Sequence, residues 1–184
     1  MTARRCSTTA RGLSRLQAAV RDSGSPLASV VTAAPVDYTA GDGPDPVALA
    51  ADGPRSAAHR DDVELAVTAV LEGCLLHYGN PRALQIDDPD LALLAGDRLY
   101  ALGLAQLAAV GNLAAIAELA DIIALSAQAY AAGDDELALA AWHAGAAAIG
   151  WGEDAQTATA KDRARAGDPG AVQALHACAA RARA

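Results

Sequence analysis

Three features of the chain predict an all-α fold, an antiparallel helical bundle with a disordered N-terminal arm. Among the 184 residues are 50 alanines, no phenylalanine and only six aromatics, so a core must come from Leu, Ile, Val and closely approaching Ala faces, which suits helix on helix. Runs of β-branched and aromatic residues, which strands need, are missing. From Asp61 onward, apolar residues recur at helical spacing and are interrupted about every twenty residues by Gly, Asn and Asp.

Residues 1–60 carry five of the eight prolines, with glycines in DSGSP, GDGPDP and ADGP, too closely spaced for long helices. They are read as a flexible arm, with a short helix over Leu13 to Val20 that docks on a partner or back onto the core. Its Arg- and Ser/Thr-rich, acid-poor start has the composition of a transit peptide but is taken as a tail.

Asp61-Asp62 offers an N-cap to an amphipathic helix in which Val63, Ala66, Val67, Val70, Leu71, Cys74, Leu75 and Tyr78 share helical spacing up to Gly79-Asn80-Pro81. Asp88 with Pro89 opens the next helix, which runs to Gly111. Its stretch Leu91 to Val110 is expected to be the buried helix that the others pack against. Asn112 caps a helix over Leu113 to Ala132, and Asp134-Asp135-Glu136 opens another through Ile149. Short connections make these neighbours antiparallel. Gly150-Trp151-Gly152 breaks the chain before two Ala-rich, Arg-bearing helices, Asp154 to Ala166 and Ala171 to Ala182. The domains so drawn are the arm 1–60, a helical core 61–150 and C-terminal helices 151–184.

The net charge of −8 is segregated. Residues 61–154 hold two arginines against fifteen acids, whereas both ends are net positive. An acidic centre excludes a nucleic-acid groove, whose affinity comes from phosphate neutralisation. Cys6, Cys74 and Cys178 are odd in number and have no zinc spacing, which suits reduced thiols in a cytoplasmic protein. No membrane span is expected, and neither is a cofactor, a metal site or a catalytic residue: no nucleophile with a base and no phosphate-cradling glycine loop is present.

The run ALLAGDRLYALGLAQLA resembles the helix of polyprenyl (isoprenyl) diphosphate synthases written A-V-L-A-G-D-x-L-x-x-x-A, matched at Ala95, Gly96, Asp97 and Leu99. Upstream, His77-Tyr78-Gly79-Asn80-Pro81 stands where those enzymes have R-R-G-x-P, so Gly79 and Pro81 match too. Downstream, LALAAWHAGAAAIG is similar to their K-T-A-x-L-x-x-x-A-x-x-x-G. The resemblance covers about residues 61–150 and implies half of an all-α isoprenoid synthase fold. Its magnesium-binding D-D-x-x-D register falls on Thr68, Ala69 and Glu72, leaving one carboxylate, and its second aspartate-rich motif has no counterpart. Several converging oxygens are needed to hold magnesium on a diphosphate.

The resemblance thus implies a degenerate, non-catalytic subunit or regulatory partner that associates with another protein or with itself through Ala/Leu/Gly-rich helices. Gly96, Gly103, Ala95 and Ala109 would mark the packing seam. Two alternatives stand beside it: a tetratricopeptide-like helical adaptor, and a synthase half that borrows magnesium ligands from a partner. Glu72, Gly79, Pro81, Gly96, Asp97 and Arg98 are the candidates for a remnant or helix-bridging site, with Asp97 expected to be a carboxylate buried in an apolar helix that needs a partner. Acid clusters such as Asp87-Asp88-Pro89-Asp90 are read as helix caps, and His77 and His143 as packed or exposed residues.

Overall fold

The computed structural model describes residues 2–24, 26–31 and 44–182, with side chains from Thr8 onward. It is all-α: α1 (Thr2–Asp22), α2 (Pro46–Ala51), α3 (Arg60–Tyr78), α4 (Pro89–Ala109), α5 (Leu113–Ala131), α6 (Asp135–Trp151), α7 (Ala155–Arg165) and α8 (Ala171–Arg181), with 3-10 turns at Pro26–Val30 and Pro54–His59. Among the described residues, extended pairing is limited to one antiparallel bridge, Val31 with Leu84.

Local chemistry starts the helices where the sequence placed their caps. The side chains of Asp88, Asn112, Asp134 and Asp154 accept hydrogen bonds from the backbone N–H groups of Leu91, Ala115, Leu137 and Thr157, each satisfying a first-turn donor. The first long core helix departs from this pattern. It begins at Arg60, straight out of a 3-10 turn, with Asp61 and Asp62 inside its first turn. Asp61 there pairs with Arg15, and Asp62 accepts from Gln106 Nε2.

The centre of the molecule is not α4, as expected, but α3 and α6. Every residue from Val63 to Val70 and from Ala140 to Gly150 is buried. Val63, Val67 and Val70 of α3 and Trp142, Ala146 and Ile149 of α6 belong to one apolar cluster, and α2, which packs on both helices, joins it through Val47, Leu49 and Ala50. Alanine makes this possible: with Ala or Gly at eight of the eleven positions from 140 to 150, neighbouring helices approach α6 closely on several sides. Helix α4 packs on α3 from outside, and α5 packs on α6. A second cluster joins α1, α3 and α4 through Leu13, Leu16, Leu65, Ala69 and Leu99, and a third joins α5, α6, α7 and α8 around Leu125, Ala160 and Leu175.

Within the stretch read as an arm, the short helix over Leu13 to Val20 is part of the 21-residue α1, and Leu13, Leu16 and Val20 are its buried face. Arg11 of α1 donates to Glu64 of α3, a carboxylate with no exposed surface that Arg60 also contacts. Residues 46–51 and 54–59 are likewise helical and packed on α3 and α6. Residues 32–43 lie outside the described residues.

Candidate functional site

Five of the six candidate residues meet where the C-terminal end of α3, the loop after it and the first half of α4 come together. Glu72, 1% exposed, accepts hydrogen bonds from Arg82 Nε at 2.6 Å and from the backbone N–H groups of Arg82 and Ala83 at 2.7 and 2.8 Å. The carboxylate is therefore filled by its own loop. Gly79 closes α3 by donating its N–H to the Leu75 carbonyl, and Pro81, half-buried, leads the chain into that clamp.

Gly96 is where α4 crosses His77. A Cβ there would lie 2.5 Å from His77 Cδ2 and 3.0 Å from the Gly73 carbonyl oxygen, so only glycine lets the imidazole lie across the helix. The ring stacks on Tyr100 at 5.3 Å between centroids, and its Nε2 is buried 3.3 Å from Asp97 Oδ1 without the alignment of a hydrogen bond. The residues at the R-R-G and A-G-D positions of the resemblance thus face each other. Asp97 itself is not buried, against the expectation: its side chain is 69% exposed. Helix α4 turns its Asp-Arg pair outward because α3 takes the face bearing Ala95, Gly96, Leu99, Gly103 and Leu107. Arg98 is exposed and stands apart from the cluster, with no hydrogen bond or ion pair among the described residues.

The expected seam exists, but inside the molecule. Ala95, Gly96 and Gly103 are buried against α3, where a Cβ on Gly103 would lie 2.6 Å from the Ala66 carbonyl oxygen, whereas Ala109 is exposed. At the inner edge of the junction Cys74 is buried among Tyr100, Tyr130 and Trp142. Desolvation pushes its thiol pKa up against the opposing polar contacts of those three residues. Burial likewise raises the Tyr100 phenol. Neither is poised for nucleophilic or acid-base work near neutral pH. Among the described residues, no three His, Cys, Asp or Glu side chains converge as a metal site would require.

Three pairings went unread in the sequence. Arg82, the one base in its loop, is the partner of Glu72. Lys161, the chain's single lysine, is 2% exposed, and its Nζ lies 2.6 Å from Glu118, 2.9 Å from Glu153 and 3.3 Å from Asp121. His143, buried on α6, faces His176 of α8 with ring centroids 5.6 Å apart. A lone lysine in an alanine-rich segment was the available signal for the second; the others join residues whose types alone carry none.

No known protein family, curated protein or solved structure matches the chain.

The outer faces of α4 and α5 complete the picture. Leu91, Leu93 and Leu94 on α4 and Leu113 on α5 are exposed, Leu94 and Leu113 at 67% and 72%. Along α5 the exposed residues after Leu113 are alanines and Gln128, with no charge. Both helices are long and apolar enough to cross a membrane by length and composition, yet each packs on a neighbour along one side.

Proposed function

We propose that this protein works by binding rather than catalysis: it is a helical subunit that docks other helices on the outer face of its α4–α5 hairpin. The observation that carries this reading is the exposed apolar surface of that hairpin, Leu91, Leu94 and Leu113 set among alanines, with Asp97 and Arg98 the charges exposed on α4 beyond its first turn and no charge among the exposed residues of α5. The site supports it from the other side. Glu72, the one carboxylate left in the aspartate-rich register, is saturated by Arg82 and Ala83, and the ion-pair neighbour of Asp97 among the described residues is His77. A degenerate relative of the prenyl diphosphate synthases, keeping the helix packing and losing the magnesium ligands, fits both.

Photo-crosslinking tests the reading. With benzoylphenylalanine placed singly at Leu94, Leu113 and, as control, the exposed Gln156 of α7, irradiation of producing cells is expected to give discrete adducts from the first two positions and none from the third. An absence of adducts at Leu94 and Leu113, or equal labelling at all three positions, overturns it.

A further inference from the structure

Apart from the docking face, we infer that α8 is an acid-released latch: it lies on α6 while His143 is neutral and swings away when His143 takes up a proton from solvent. The joint is built around two imidazoles. His143 of α6 is 3% exposed, and the half-buried His176 of α8 faces it with ring centroids 5.6 Å apart. A neutral imidazole has one N–H, and the Pro44 carbonyl accepts it. An imidazolium has two. Beside Pro44, the polar group acting on the ring among the described residues is His176, which carries no negative charge in either protonation state. A proton on His143 is therefore buried with neither an acceptor for the second N–H nor a counter-charge, unless α8 leaves.

The charges on the elements around α6 are spent elsewhere. Helix α2 has no ionisable residue. Glu118 and Asp121 of α5 pair with Lys161 and Arg165 of α7, whose Asp162 pairs with Arg165 and whose Arg163 pairs with Asp168. In the 3-10 turn Pro54–His59, Arg55 lies against Gly152 and His59 faces Asp62. Asp45, next to Pro44, accepts from the Val47 N–H and the Thr9 hydroxyl, and Arg181 of α8 turns to Asp154. On α6 itself, Asp135 and Glu136 stand in the first turn, about 10 Å along the axis from His143. Helix α8 is the element built to respond. Its buried face, Ala171, Leu175, Cys178 and Ala179, has one large apolar side chain, its N-cap Gly170 makes no side-chain hydrogen bond, and Gly167 at φ 70° makes the turn before it. Its departure brings water to His143 and bares Leu125 of α5 with Ala140, Ala141 and Ala144 of α6, apolar residues of the cluster that α8 shares.

Amide exchange, corrected for its intrinsic pH dependence, reads the latch. In the wild type, protection over residues 171–181 is expected to fall about thirtyfold between roughly pH 7.5 and 5, the ratio set by proton uptake at 6.5 with α8 open and at about 4 with it closed. At pH 5 it should lie at least about tenfold below the protection of α3, because the latch opens before the whole molecule does. His143→Gln, which keeps a donor for Pro44 and cannot take up a proton, should reduce the fall to under about threefold. His176→Glu faces the imidazole with a carboxylate that favours its protonated form, so α8 should stay protected at pH 5, with a fall again under about threefold. Equal protection of α8 and α3 at pH 5, or a fall in either variant as steep as in the wild type, overturns the inference; if His143→Gln does not fold, His176→Glu decides.

Discussion

Glu72 and Asp97 occupy similar-looking places in the sequence, each an acid past the first turns of a largely apolar helix, and the structure gives them opposite energetics. Glu72 is sealed in with Arg82, so removing one charge leaves the other uncompensated. Glu72→Gln keeps the volume and is expected to lower unfolding free energy by about 3 kcal/mol in urea titration; a loss under about 1 kcal/mol would mean the loop is held by other contacts. Asp97→Asn acts on an exposed group whose neighbour is a histidine. Measured at concentrations too low for association, it should cost on the order of 1 kcal/mol or less, and a larger drop would contradict the surface placement. Gly96→Ala drives a methyl into the His77 ring and should cost about 1–3 kcal/mol by the same titration, whereas an unchanged midpoint would show that the ring swings aside freely. Sequence reasoning brought Gly96 and Asp97 under suspicion and read His77, their neighbour in the fold, as a packed or exposed residue. It could not tell which acid was buried, because helical spacing assigns faces only when polar residues mark one of them, and α4 has too few.

At the scale of elements, the helices from α3 to α8 were legible for a local reason: their caps and periodicity lie within a few residues of each other in the chain. The packing order was not. An α-helix that is apolar on every side reads as buried, and α4 reads so, yet α6 takes the centre because its alanines admit neighbours on several sides. Helix α1 was legible only over Leu13 to Val20, since what fixes the rest of it is non-local. Arg11 and Glu64 are 53 positions apart, and the arginines that mark a solvated tail in sequence are the groups that find acids on α3. The helix should therefore release as a unit. Leu16→Asp puts a charge at a fully buried position, where the leucine contributes roughly 2 kcal/mol by burial alone. Amide exchange protection over residues 8–22 is expected to collapse while that of α3 and α6 persists. Simultaneous loss of protection in all three would show instead that α1 belongs to the central cooperative unit.

Taken whole, the molecule has a central apolar cluster, built on α3 and α6, with two satellites, and the ionisable groups that matter for pH lie at the joints. One joint, α5 to α7, is held by Lys161. Burial acts to lower its pKa, but hydrogen bonds to Glu118 and Glu153 outweigh this and raise it, so it stays cationic across the acid range. The joint of α6 with α8 behaves differently. His143 is buried, and desolvation, with a smaller contribution from His176, lowers its pKa from 6.5 to about 4, against a hydrogen bond to the Pro44 carbonyl. A histidine whose folded pKa lies below its unfolded value resists protonation only while folded. Its neutral form contributes full stability above pH 6.5, and that contribution is lost as pH falls towards 4, because the unfolded chain takes up the proton first. The loss amounts to about 3 kcal/mol once both states are protonated. Other carboxylates titrate in the same window, so the quantity to measure is the difference between wild type and His143→Gln, which cancels them. That difference should be constant from pH 7 to 8, shrink between pH 6.5 and 4 and vanish or reverse at the acid end. Parallel stability curves for the two proteins down to pH 4 would show that His143 gains its proton as readily in the folded chain as in the unfolded one, and that α6 and α8 leave it room for water.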